Sequence, residues 1–180
     1  MRPQIKKSTI AAHLLGAVVA LAAVQAQAAP DGTITFTGAI QTQTCTVDAA
    51  GSLLAIQLPG VQTGAFTSAG DTAGKSLIKL HLQNCTAGQG TVRAFFEPGP
   101  TVNPTTGRLI NTSKAGATAV EIGLLNKDAT PIFVGQAATS KGEPIAAEVT
   151  LSYYAQYYAT AVPVAAGPVT SQVTFSLDYQ

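Results

Sequence analysis

A few groups of residues have types and spacings that chemistry could use. Gly70-Asp71-Thr72-Ala73-Gly74-Lys75-Ser76 ends like a phosphate-binding loop. It has three residues between its glycines where such a loop needs four, no parallel-sheet strand pattern precedes it, and no helix pattern follows. An ordinary surface loop fits better. His81 is the one histidine outside the N-terminal apolar stretch. A zinc or copper site draws on several His or Cys ligands. A serine or cysteine nucleophile would have only His81 as its base, and no G-x-S-x-G elbow is present. The carboxylates (Asp31, Asp48, Asp71, Asp128, Asp178, Glu97, Glu121, Glu143, Glu148) are scattered, with no spacing that marks a glycosidase pair. Asn84-Cys85-Thr86 and Asn111-Thr112-Ser113 fit the glycosylation sequon, a signal of little weight alone. These residues assign no catalytic, cofactor-binding or metal-binding role, and the chain reads as a non-enzyme.

The two cysteines, Cys45 and Cys85, depend on where the chain goes. Arg2, Lys6 and Lys7 precede an apolar run from Ile10 to Val24, and Ala26-Gln27-Ala28 follows. Basic start, apolar stretch and small-residue site in that order read as a secretory signal peptide over residues 1–28. The alternative is a membrane anchor, for which the run is short. In an oxidising compartment an even cysteine count favours a Cys45–Cys85 disulfide over two buried thiols. Closing that loop would constrain the unfolded chain by roughly 4 kcal/mol in the chain-entropy account.

Cleavage after Ala28 would leave residues 29–180, with seven basic and nine acidic residues, a net charge of −2. No basic patch then remains for nucleic acid. Only 11% of the chain is charged, against about 25% in an average protein. So weakly charged a surface is poorly defended against self-association, which is a liability for a monomer and natural for a polymer subunit.

The elements that would position these residues are β throughout, as alternating runs between Gly, Pro, Asn and Asp. From Gly32 to Ile40 the even positions are Gly32, Ile34, Phe36, Gly38 and Ile40, and three of the four odd ones are Thr. That is period 2 with one apolar face. Strands are expected through Cys45 and Val47, over Leu53–Leu58, Ser76–Cys85 and Thr91–Glu97, with 60–74 as loop. Ala117–Leu125 and Pro131–Val134 should form a hairpin around Asn126-Lys127-Asp128. Pro144–Thr160 reads as one long strand with Tyr153 and Tyr157 inward and Tyr154 and Tyr158 outward. Val169–Gln180 is the last, alternating Val169, Ser171, Val173, Phe175, Leu177 and Tyr179 against polar residues. No helix with caps and no division into two globular domains is indicated.

The segment Gly38–Cys45, the Cys45–Cys85 spacing, the ending Leu82-Gln83-Asn84-Cys85 and the run Tyr154–Thr160 resemble the chaperone–usher fimbrial subunits (pilins), most of all the major subunit of type 1 fimbriae. The C-terminus carries the strongest likeness: Gly167 stands fourteenth from the end, Val173, Phe175 and Leu177 alternate, and Tyr179 is penultimate. The resemblance covers essentially all of residues 29–180. It implies an all-β, immunoglobulin-like sandwich that lacks one strand, with residues 29–42 as an N-terminal donor-strand extension and 43–180 as the pilin domain.

The resemblance also implies a function. The chain would be a structural subunit of an adhesive fimbria, exported through the periplasm to the cell surface. A periplasmic chaperone would supply the missing strand, reading Gly167, Val173, Phe175, Leu177 and Tyr179 together with an outer-membrane usher. A neighbouring subunit would then replace it with Gly32, Ile34, Phe36, Gly38 and Ile40, building a homo-polymer. No nucleic acid, small-molecule substrate or cofactor is implied. Two alternatives stay open: residues 32–40 as an ordinary first strand of their own domain, and the chain as a monomeric secreted binding or enzyme domain with a complete sandwich.

Overall fold

The structure, a computed structural model, describes residues 34–38, 44–86, 88, 90–136 and 139–180. The expected signal peptide and the donor positions Gly32 and Ile40 lie outside them. Residues 1–38 and 39–180 are separate units. Of the first unit, Ile34–Gly38 has no regular secondary structure, and its two large apolar side chains, Ile34 and Phe36, are 80% and 88% exposed.

The second unit is a two-sheet sandwich with nine strands among the described residues: β1 (Thr46–Leu53), β2 (Thr72–Gln83), β3 (Thr91–Phe96), β4 (Leu109–Ile110), β5 (Val120–Asn126), β6 (Pro131–Ile132), β7 (Glu143–Pro144), β8 (Val149–Ala159) and β9 (Phe175–Tyr179). One sheet runs β1-β2-β8-β5-β4, with β6 also paired to β5; the other runs β7-β3-β9. Every pairing is antiparallel. Alternation sends Leu80, Leu82, Leu124, Leu151 and Tyr153 of the larger sheet and Val92, Ala94 and Phe96 of the smaller one into a shared core. The Tyr153 ring meets Phe96 edge to face, with centroids 5.4 Å apart. Its hydroxyl accepts from Ala94 N–H at 3.0 Å and donates to the Lys141 carbonyl at 2.9 Å, so one buried polar tip joins the two sheets.

The expected strands are largely present, with informative differences. β2 begins at Thr72 because Gly74, at φ +67°, makes a β-bulge: Ala73 faces Tyr157 and Ser76 faces Ala155. A glycine that reads as loop is here the extra residue of a strand. The expected long strand Pro144–Thr160 is two, because Ala146, Ala147 and Glu148 are exposed in succession and the chain crosses between sheets there. Pro144, with no N–H to give, sits on the edge strand β7. The hairpin forms as β5–β6.

Leu53–Leu58 is no strand of its own. β1 ends at Leu53, and 54–58 run on without ladder pairing, although Ile56 and Leu58 still turn inward. Residues 169–174 likewise alternate inward and outward outside any ladder strand. The two stretches border the same gap.

Candidate assembly groove

Between those stretches lies an open apolar groove of about 760 Å³. Leu54, Ile56 and Leu58 line one lip. Val169, Ser171, Val173 and Phe175 line the other. The floor is Ile78 and Leu80 of β2, Ala155 and Tyr157 of β8, Ile122 and Leu124 of β5, Leu109 of β4 and Phe96 of β3. Among the described residues no charged side chain lines it. Burial pushes the Tyr157 hydroxyl above its ordinary pKa, so it stays neutral throughout the physiological range.

The backbone of the second lip is half used. Thr112 N–H donates to the Thr170 carbonyl at 2.8 Å, Thr101 Oγ1 to the Gln172 carbonyl at 2.6 Å, and Glu97 N–H to the Thr174 carbonyl at 2.9 Å. Thr91 and Gln180 exchange both of their bonds, at 2.8 and 2.9 Å. Even-numbered residues therefore bond toward the body of the protein. By the alternation of an extended chain, the N–H and C=O groups of Ser171, Val173, Phe175, Leu177 and Tyr179 point to the open side. A free ladder edge beside an unfilled apolar face has the form that accepts an added strand.

This lip is held firmly in place. Asn111 Nδ2 donates to the carbonyls of Ala117 and Pro168, both at 3.0 Å, and its Oδ1 accepts from Ser113 N–H and Thr170 N–H. The side chain that begins a glycosylation sequon is thus fully used in tying 168–170 to the loop before β5. Gly167 lies against that loop as well. A Cβ there would stand 2.5 Å from Ala117 N and 2.6 Å from Gly116 C, so the glycine fourteenth from the end is needed for close backbone approach. Farther along, Arg93 of β3, 8% exposed, donates through Nε and an Nη to Asp178 at 2.8 and 2.5 Å. Tyr179 accepts from Cys45 N–H through its hydroxyl at 2.7 Å.

Cys45 and Cys85 are bridged, with Cα atoms 4.0 Å apart. The bond ties the residue before β1 to the chain just past β2, beside the Thr46–Gln83 pair. With Tyr179 bonded to Cys45, the C-terminal strand is anchored at the disulfide end of the sandwich.

The structure thus brings Gly167, Val173, Phe175, Leu177, Tyr179 and the disulfide to one side of the molecule, with Val173 and Phe175 in the groove and Leu177 and Tyr179 against the core beyond it. It adds residues that were not singled out beforehand. Leu54, Ile56 and Leu58 form the opposite lip, foreshadowed only by a short alternating run. Arg93 gave no sequence signal, because its partner Asp178 is distant in the chain, and Asn111 showed only as the first residue of a sequon, which does not foretell its bonds to Pro168 and Thr170.

Away from the groove, the chemistry candidates have structural duties. The Asp71 carboxylate accepts from Thr67 N–H, Thr67 Oγ1 and Ser68 N–H, which holds a turn and lowers its pKa. Buried Glu121 accepts from Asn103 and Thr106. Tyr154 and Tyr158 face outward as expected, and their rings carry Lys75 and Arg108 at 4.2 and 3.5 Å. Among the described residues no three His, Cys, Asp or Glu group as metal ligands, and no helix is long and apolar enough to cross a membrane.

The family described as FimA, type-1 fimbrial protein, A, matches residues 58–180. The chain belongs to this family. It is 40% identical to the F17 fimbrial protein of Escherichia coli, over 91% of this chain and 95% of that one. It is 38% identical to the major fimbrial subunit SMF-1 of Stenotrophomonas maltophilia, over 88% and 98%. The P pilus rod subunit PapA has the same fold, with a TM-score of 0.58 at 20% identity over 76% of this chain and 99% of that one. As a member of the type-1 fimbrial family, the chain is a structural subunit of an adhesive cell-surface fimbria.

Proposed function

We propose that the groove between 54–58 and 169–175 is the acceptor for a strand donated by the next copy of this chain, and that residues 32–40 are that donor. The carrying observation is the unfilled apolar groove with a free ladder edge along Ser171–Tyr179. Strand addition is the established binding mode of chaperone–pilin complexes; what is specific to this chain is the set of residues it uses. Ile34, Phe36 and Ile40 enter the groove, and Gly32 and Gly38 occupy the same face where it is shallow. Each Ile or Phe fully buried contributes about 1.5–3 kcal/mol, and the ladder bonds add to that.

Before assembly the same edge is covered by a strand of a periplasmic chaperone, which reads Val173, Phe175 and Leu177, with Gly167 and Tyr179 at the two ends of the segment and an outer-membrane usher exchanging one strand for the other. On this reading residues 1–28 are the signal peptide, residues 29–42 the donor-strand extension and residues 43–180 the pilin domain. The role is structural, with no catalysis and no cofactor.

The test uses register. Inserting one residue between Phe36 and Thr37 turns part of the donor's apolar face outward. The periplasmic subunit level is expected to hold while the heat-resistant fimbrial ladder disappears. An intact ladder would count against the donor role, and loss of the subunit itself would point to 32–40 as a strand of their own domain.

A further inference from the structure

Among the residues that line the groove, Gln57, Tyr157, Thr170, Ser171 and Gln172 are polar. Ser171 turns its side chain inward between Val169 and Val173. Its Oγ is buried and has no hydrogen-bond partner among the described residues. The other buried polar side chains do not share this: Arg93, Glu121, Asn126 and Ser140 are all partnered. A buried hydroxyl left unpaired is unfavourable, so whatever fills the groove gains by supplying a partner there.

The proposed donor face offers two kinds of neighbour. Ile or Phe beside Ser171 would cover the hydroxyl with hydrocarbon and leave it unpaired. Glycine has no side chain to interpose, so the donor's own peptide groups come within reach of Oγ across one strand spacing. All strand pairs in the domain are antiparallel. Among the antiparallel registers that keep the donor in the groove, one sets a glycine beside Ser171. It pairs Gly38 with Ser171, Phe36 with Val173, Ile34 with Phe175 and Ile40 with Val169. A two-residue slip either way puts Phe36 or Ile40 against the hydroxyl and Gly38 against a valine.

We propose that Ser171 is a specificity-determining residue of the groove: its hydroxyl bonds the donated backbone at Gly38 and so selects this register. The inference rests on residues 32–40 being the donor.

Fimbriae assembled from the full chain test it by cysteine cross-linking between outward-facing positions. Thr37→Cys is combined in turn with Thr170→Cys, Gln172→Cys, Thr174→Cys and Ser176→Cys, with single-cysteine controls. The register above predicts inter-subunit cross-links at Gln172→Cys; antiparallel registers slipped by two residues give Thr170→Cys or Thr174→Cys, and a parallel register that sets Gly32 beside Ser171 gives Ser176→Cys. Adding Ser171→Ala is expected to lower the preference for position 172 by roughly three- to tenfold, the ratio carried by one ordinary net hydrogen bond. Ser171→Thr, which keeps the hydroxyl, should retain the preference. A different favoured position in the unmodified background overturns the register and leaves the donor assignment standing. An unchanged preference in Ser171→Ala overturns the role of the hydroxyl. Ladders that form with no cross-link at any of the four positions overturn the donor assignment and this inference together.

Discussion

β8 and the stretch 169–179 are both eleven residues long, and both alternate apolar with polar side chains. Their surroundings differ. β8 lies between β2 and β5, and Val149, Leu151, Tyr153 and Ala155 on its inner face are 1–6% exposed. The inner face of 169–179 is only half-buried, and among the described residues its sole ladder partner is β3, along Phe175–Tyr179. Alternation thus specifies which face is meant to be covered, and says nothing of whether the cover comes from the same chain. The domain is finished around β8 and unfinished along 169–179.

The largest expected effect separates the two regions directly. Tyr153→Ala removes a ring packed on Phe96 and both sheet-joining hydrogen bonds, at a cost of about 3–5 kcal/mol before the unpaired groups are counted. The subunit should vanish from cell extracts whether or not a strand is supplied. Phe175→Asp sets a charge in the apolar groove. It should instead act on strand addition, so that the variant no longer co-purifies with its chaperone. Immunoblots of periplasm with and without excess chaperone distinguish the outcomes. Rescue of Tyr153→Ala, or normal chaperone co-purification of Phe175→Asp, would erase the contrast between the regions.

The same contrast explains what could be seen in the sequence. Most strands, the inward tyrosines and the disulfide were legible, because period-2 burial and an even cysteine count are local signals. Bulges were not: Gly74 and the Asp48–Leu53 irregularity look like loop, since an extra residue is defined only against a partner strand. The two-residue strand β4 was missed, as it carries too short a pattern to show a period. Of the groove, the lip near the C-terminus was legible through a family pattern counted from the chain end. The other lip was mistaken for a paired strand. Its alternation is real, but the described residues give it no ladder partner.

A smaller effect is expected from Gly167→Val. The residue is exposed, so burial predicts tolerance, yet any side chain meets the backbone of residues 115–117. Overpacking of this kind costs about 1–3 kcal/mol. The loss should fall on the open region, since Ala117 N–H donates to the Pro168 carbonyl and Asn111 holds both segments. Ladders of this variant should dissociate at lower temperature while the chaperone-bound subunit remains detectable. Unchanged ladder stability would mean that the lip does not depend on this contact.

The smallest effect belongs to the finished region and is set by pH. Asp128, in the β5–β6 turn, is paired with Lys141 and accepts from Thr130 Oγ1 and N–H. The Lys141 hydrogen bond is the first cause that holds its pKa well below the ordinary carboxylate range, with the Thr130 bonds next. A carboxylate whose pKa is depressed by folding stabilises the folded form above its unfolded pKa, near 4. That contribution fades as the pH falls through this value toward the folded one. Because the pair is exposed to solvent, the contribution is small. Asp128→Asn should therefore lower the dissociation temperature of purified fimbriae slightly at pH 7, and the difference from the unmodified protein should shrink as the solution is taken below pH 4. Since the turn lies away from the groove, the donor cross-links at position 172 should be unaffected at either pH. A difference that grew on acidification would mean that the Lys141–Asp128 pair is not what secures the turn.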